Sequence, residues 1–219
     1  MRSFKTAVVA IAALAATAAV ADAKPGPPFI AHVHKLTPAM QQTMTGVSWK
    51  PGCPVGLDDL RVIRMRYRGF DAKAHMGMLI VNADVAEKTV RAFGKLYDAR
   101  FPIRRMEPVD AYGGSDDASM AADNTSAFNC RKAVAAGTPS WSEHAYGKAI
   151  DVNPVENPYV FGREVLPPAG AAHLDRAAAK PGYAVAGGAL VKAFAAAGWK
   201  WGGARKSNPD YQHFSTSGN

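Results

Sequence analysis

A chain that brings His144 and Asp151 to one point has to reverse direction between them. The stretch SWSEHAYGKAIDVNP (140–154) sets the two residues seven apart, with Gly147 between them and an apolar run close behind. On one straight helix that spacing is ~10.5 Å of rise, and on one straight strand it is ~23 Å. Neither lets the two side chains share a partner. A turn at Gly147 does, and Ala149, Ile150 and Val152 then read as a strand that holds Asp151 rigidly. The spacing itself is compatible with a metal pair, a hydrogen-bonded structural pair or two unrelated surface residues.

A second histidine and carboxylate stand near the end of the sequence, in Asp210-Tyr211-Gln212-His213. Residues three apart share a side only in a helical turn or a distorted extended chain. If His213 joins His144 and Asp151, two histidines and one carboxylate leave a fourth position open, which is a catalytic zinc donor set. Asp210 would then lie beside the metal, where a free carboxylate serves as general base towards water. A lone histidine in a polar segment is more often a surface group or a satisfied core group. His32, His34, His75 and His173 are read that way, although His32 and His34 share one side of an extended segment.

The first 23 residues stand apart from the fold. MRSFKTAVVAIAALAATAAVADA has basic residues at Arg2 and Lys5, a small-residue apolar run and Ala21-Asp22-Ala23 at its end. That is the pattern of a secretory signal peptide, and the run is shorter than the ~20 apolar residues of a membrane span. Residues 1–23 are therefore expected to be removed, leaving 24–219 as one domain in the periplasm or outside a bacterial cell, with no stable membrane insertion. An oxidising compartment makes the two cysteines, Cys53 and Cys130, a disulfide. Closing a loop of about 77 residues contributes roughly 4 kcal/mol at most.

The formal net charge of +8 favours anionic envelope polymers by long-range attraction. The lysines and arginines are scattered, with no basic run or nucleic-acid module, so nucleic acid is not an expected partner. Leu60–Phe70 alternates Ile63, Met65 and Tyr67 with Arg64, Arg66 and Arg68, which predicts a strand. Gly77–Val81 reads as its partner. From Asp84, the expected N-cap, Val85, Thr89, Phe93 and Leu96 recur at helical spacing, and the helix should stop before Pro102. Residues 101–112 read as a strand, and Gly113–Thr138 as a long polar stretch without regular structure. Ala184–Ala197 is a predicted helix, with Leu190 and Phe194 on one face and Gly198 as its stop. Strands and helices mix without βαβ alternation, so the expected class is α+β: a central antiparallel sheet flanked by helices, with the site in a surface cleft.

Residues 142–151 have the form S-x-H-x-x-G-x-A-x-D, and with Asp210-Tyr211-Gln212-His213-Phe214 the chain resembles the zinc D-alanyl-D-alanine carboxypeptidase family. That family includes VanY-type carboxypeptidases, VanX-type dipeptidases and L-alanyl-D-glutamate endopeptidases. The resemblance extends through NTSAFNCR (124–131), NPVENPYV (153–160) and GWKWGG (198–203), covering the C-terminal half well and the N-terminal half loosely. It implies Zn2+ held by His144, Asp151 and His213, with Asp210 as the catalytic carboxylate. Arg131 falls near the family's arginine that contacts substrate and stabilises developing charge, though the usual tyrosine-arginine context is Asn129-Cys130-Arg131 here. Ser142 matches a serine near bound substrate. The function implied is hydrolysis of peptidoglycan stem peptides, as a carboxypeptidase or an endopeptidase; separately, the protein is expected to be a monomer. Two rivals remain: a non-catalytic zinc-containing cell-wall-binding module of the same fold, and a basic polyanion-binding protein with incidental histidines.

Overall fold

The computed structural model describes residues 26–133 and 140–218. The expected signal peptide, and the last part of the polar stretch 113–138, lie outside the described residues. The chain opens with β1 (Ala31–Lys35) and α1 (Pro38–Met44), followed by the long hairpin β2 (Leu60–Arg68) and β3 (Ala74–Asn82). These strands form an antiparallel sheet in the order β1-β2-β3. The alternation expected for β2 is present: Ile63, Met65 and Tyr67 enter the main core beside Leu79 and Val81. At the start of β2 the opposite face is buried as well. Leu60 and Val62 join Ile80, Leu36, Met44, Phe128 and Cys130 in a second core, which holds the Cys53–Cys130 disulfide, with Cα atoms 5.9 Å apart.

Helix α2 (Ala86–Asp98) lies on the main core and buries Thr89, Ala92, Phe93, Leu96 and Tyr97, the stripe that its helical period dictates. Its entry differs from the expected Asp84 cap. Asn82 is the cap of a preceding 3-10 turn, Ala83–Val85, and its Oδ1 accepts the Asp84 N–H at 3.0 Å. Asp84 is thereby free to pair through its carboxylate with Lys148 Nζ at 3.0 Å.

The expected strand at 101–112 shrinks to β4 (Arg105–Met106). Pro102 and Pro108 bracket it, and neither can donate to a ladder; Val109–Tyr112 is a 3-10 turn instead. Within the stretch read as irregular lies the short α3 (Asp116–Ala121), capped by Ser115 Oγ, which accepts the Ala118 N–H at 3.2 Å. β5 (Asn124–Thr125) follows and pairs parallel with β4. Six residues of helix and two of strand are too short to leave a period in the sequence.

The C-terminal part contributes β6 (Ala149–Asp151), the small hairpin β7 (Tyr159–Phe161) and β8 (Glu164–Leu166), then α4 (Ala189–Ala196), β9 (Lys200–Trp201) and β10 (His213–Ser215). A second antiparallel sheet has the order β6-β10-β9. Helix α4 starts five residues later than expected because Gly187, at φ +73°, and Gly188 precede it, the latter as its N-cap. It stops as expected at Gly198, whose φ is +85°. Leu190 and Phe194 are buried, and the Phe194 ring meets Phe93 of α2 at 5.6 Å and Phe214 of β10 at 4.3 Å. Ile150, Val152 and Phe214 share the core of β2 and β3. The protein is thus α+β around one main core, built from two three-stranded antiparallel sheets rather than one central sheet.

Candidate metal centre

The reversal between His144 and Asp151 is assembled from short-range bonds. Ser142 Oγ accepts the His144 N–H at 3.2 Å and caps the 3-10 turn Glu143–Tyr146. Gly147 follows at φ +64°, and its N–H returns to the His144 carbonyl at 3.0 Å. Its carbonyl accepts the Asn82 N–H at 2.9 Å, so the turn is docked against the end of β3. A Cβ at this position would lie 2.6 Å from the Asn82 nitrogen. Both the left-handed backbone and the close approach therefore require glycine. Gly147→Ala is expected to cost about 2–4 kcal/mol, adding left-handed strain to overpacking. The denaturant midpoint of the purified variant measures it, and an unchanged midpoint would show that the turn relaxes freely.

The far histidine arrives by strand register. β10 runs antiparallel to β6 with His213 directly opposite Asp151. The offset of three between Asp210 and His213 is absorbed by a turn, in which the His213 N–H donates to the Asp210 carbonyl at 3.3 Å. His144 Nε2 lies 3.1 Å from Asp151 Oδ2, His213 Nδ1 lies 3.1 Å from Asp151 Oδ1, and the two ring nitrogens are 3.2 Å apart. All three residues are buried, at 3%, 5% and 6% exposure in the order His144, Asp151, His213. They are the group of side chains among the described residues whose donor atoms converge as metal ligands would.

The donor chemistry fits a cation. His144 Nδ1 sits 2.6 Å from the Ala127 carbonyl oxygen, which places the proton on Nδ1 and turns the Nε2 lone pair towards Asp151 and His213. Such an outer contact sets the tautomer of a ligating histidine. Burial would raise the Asp151 carboxyl, but the adjacent imidazoles, His144 foremost, hold it below the usual carboxylate range. A buried carboxylate facing two ring nitrogens at these separations matches what tetrahedral ligands around one ion require, about 3.4 Å between donors at zinc–ligand lengths.

Asp151 and His213 open onto a cavity of about 460 Å³ that Asp210, Arg131, Ser142 and Arg205 also line. Asp210 is positioned by its N–H, which donates to the Gly202 carbonyl at 3.3 Å, and by a bridge to Tyr159. Its Oδ1 is buried without a hydrogen-bond partner among the described residues. Burial pushes the Asp210 carboxyl up to about 6, against the pull of His213 and with the repulsion of Asp151. Ser142 faces the cavity, yet its hydroxyl is engaged as the cap of the His144 turn. The Arg131 guanidinium is held by Asp116 of α3, Nη2 to Oδ2 at 2.7 Å, immediately after the disulfide-bonded Cys130. Of the tryptophans, Trp141 lines the cavity with Lys132 Nζ 3.6 Å above its ring, whereas Trp199 is core.

Several residues around the centre carried no readable signal. Asp116 and Arg205 belong to no motif whose spacing announces a role, and Tyr159 lies in the NPVENPYV segment without any role marked for it. Behind Asp151, Asn153 adopts φ +47°. Its Oδ1 accepts the Arg104 N–H at 3.0 Å, and its amide donates to the Pro102 carbonyl at 2.9 Å. Arg104 in turn bridges the buried Asp123 and Glu156 at 3.3 and 3.0 Å. This network pins the chain as it leaves Asp151.

No curated protein and no solved structure matches the chain. A family model described as D-alanyl-D-alanine carboxypeptidase matches residues 136–216, a span that contains His144, Asp151, Asp210 and His213. That match, and the convergence of His144, Asp151 and His213, support the resemblance of the chain to the D-alanyl-D-alanine carboxypeptidase family over residues 136–216.

Proposed function

We propose that the protein is an exported zinc peptidase that hydrolyses peptide bonds in peptidoglycan stem peptides. The observation that carries this reading is the buried Oδ1 of Asp210, unpartnered among the described residues, beside the convergent donors of His144, Asp151 and His213. A site built only to hold an ion would have no use for a further carboxylate with a buried oxygen lacking a partner among the described residues, on a residue that lines the same cavity. When bound, zinc supplies Lewis-acid activation of water and of the scissile carbonyl. Asp210 takes the proton of the attacking water at its free oxygen and returns it to the departing amine. Arg131, anchored by Asp116, lies on the cavity wall, where its charge stabilises the oxyanion that develops on the carbonyl. Ser142 keeps His144 in place through its cap.

The disulfide agrees with an oxidising compartment, and among the described residues no helix is long and apolar enough to cross a membrane. The net charge of +8 suits an anionic wall, and the protein is expected to act as a monomer. The test is mass spectrometry of defined muropeptides incubated with the zinc-loaded protein. Release of a single D-alanine identifies a carboxypeptidase, and separation at L-alanyl–D-glutamate or at a cross-link identifies an endopeptidase. Intact muropeptides in the presence of folded, zinc-bound protein would reject the enzyme reading in favour of a wall-binding module.

A further inference from the structure

Two arginines line the cavity, and their surroundings differ. Arg131 is committed: Asp116 holds it at 2.7 Å and the Lys132 carbonyl accepts from it at 3.3 Å. Arg205 lines the same cavity and is partly buried, yet its side chain makes no hydrogen bond and no ion pair among the described residues. The backbone around it is closely defined. The Gly202 carbonyl accepts the N–H of Arg205 at 3.2 Å and also that of Asp210 at 3.3 Å, closing residues 202–210 into a loop. A Cβ on Gly202 would meet the Asp210 carbonyl oxygen at 2.9 Å and the His213 Cβ at 3.2 Å. One glycine thus packs against the general base and a metal ligand while its carbonyl fixes the arginine. The charge of Arg205 reaches both Asp210 and Tyr159.

We propose that Arg205 is a specificity-determining residue that binds a carboxylate of the peptide substrate beside the scissile bond. This rests on the peptidase reading above. A guanidinium without a partner among the described residues, on a residue that lines a cavity, matches a carboxylate with two parallel charge-assisted bonds. Arg131 is less available for that task because Asp116 already occupies part of its fork. The carboxylate has two possible sources, the terminal α-carboxylate of the residue released or the free carboxylate of an acidic residue within the peptide. Their chemistry at Arg205 is the same.

The test uses synthetic stem peptides in matched sets: unmodified, terminally amidated, and amidated at the internal acidic residue. KM and kcat are measured for the zinc-loaded wild type, Arg205→Ala and Arg205→Lys. Binding is measured separately by calorimetry in the zinc-loaded Asp210→Asn background, with and without Arg205→Ala. Zinc content and melting temperature confirm that each variant is folded. Arg205→Ala is expected to weaken binding of the unmodified peptide and raise its KM by about 10- to 100-fold, the effect of losing a charge-assisted pair, with kcat changed only a few-fold. Arg205→Lys should restore part of the loss.

Amidating the engaged carboxylate should cost the wild type a similar factor and cost Arg205→Ala almost nothing, the coupling expected of two groups in contact. Coupling to terminal amidation assigns the terminal carboxylate, and coupling to internal amidation assigns the acidic residue. If the wild type cleaves these peptides but Arg205→Ala shows no coupling to either amidation, the assignment of Arg205 is overturned and the peptidase reading stands. If the wild type neither binds nor cleaves any of them, the peptidase reading fails and this proposal fails with it.

Discussion

Replacing His213 by alanine is expected to abolish stoichiometric zinc binding and to take peptide hydrolysis below detection. The donor set consists of three side chains, and the loss of one leaves His144 and Asp151 alone. Outer partners of metal ligands are worth about 10- to 100-fold in affinity, and a direct ligand is worth more. His213 sits opposite Asp151 in the β6–β10 ladder, but that pairing is made by backbone groups, and its neighbours Phe214 and Ser215 keep their register with Ile150 and Ala149. The variant should therefore fold. Because zinc stabilises only the state that holds it, the rise in melting temperature on adding zinc should appear in the wild type and vanish in His213→Ala. Zinc content by mass spectrometry and thermal melts with and without the metal test both expectations. Stoichiometric zinc at native affinity in the variant would remove His213 from the ligand set.

Asp210→Asn should separate binding from catalysis. The amide is nearly isosteric with the carboxylate, and Asp210 is expected to face the metal without ligating it, so zinc content should stay at the wild-type level. The amide cannot accept the proton of the attacking water. Loss of a general base costs about 10²- to 10⁴-fold in turnover, and the fall should appear in kcat rather than in peptide affinity. A near-normal rate would remove Asp210 from this role. The same variant bears on the rival reading of a wall-binding module, for which neither wild type nor variant turns over peptide and both bind it equally.

Much of the architecture was legible before any tertiary contact was considered. The turn at Gly147, the alternation along Leu60–Arg68 and the stripe Thr89, Phe93 and Leu96 are properties of a few neighbouring residues. Each follows from which backbone angles a residue tolerates and which side it buries. The illegible parts fall into two kinds. Short elements such as Arg105–Met106 and Asp116–Ala121 exist because packing and parallel pairing support them, and too few residues are involved for a period to show. Asn82 displaced Asp84 as a cap because both residues can cap, and the end of a strand decided which one did.

The candidate site divides along the same line. By itself, the sequence determined that His144 and Asp151 can meet only across a turn, which Gly147 permits, and that Cys53 and Cys130 have only each other as partners. Through the motif it carries, it also named His213 and Asp210. What only the tertiary structure decided was convergence: His213 opposite Asp151 across two strands, and Asp210 lining the same cavity with one buried oxygen unpartnered among the described residues. It also decided that Arg131 is paired with Asp116 and that Arg205 has no such pair among the described residues. Local pattern is set by the chemistry of adjacent residues. Which distant side chains meet is set by strand register and by how two sheets share one core, and no spacing along the chain encodes that.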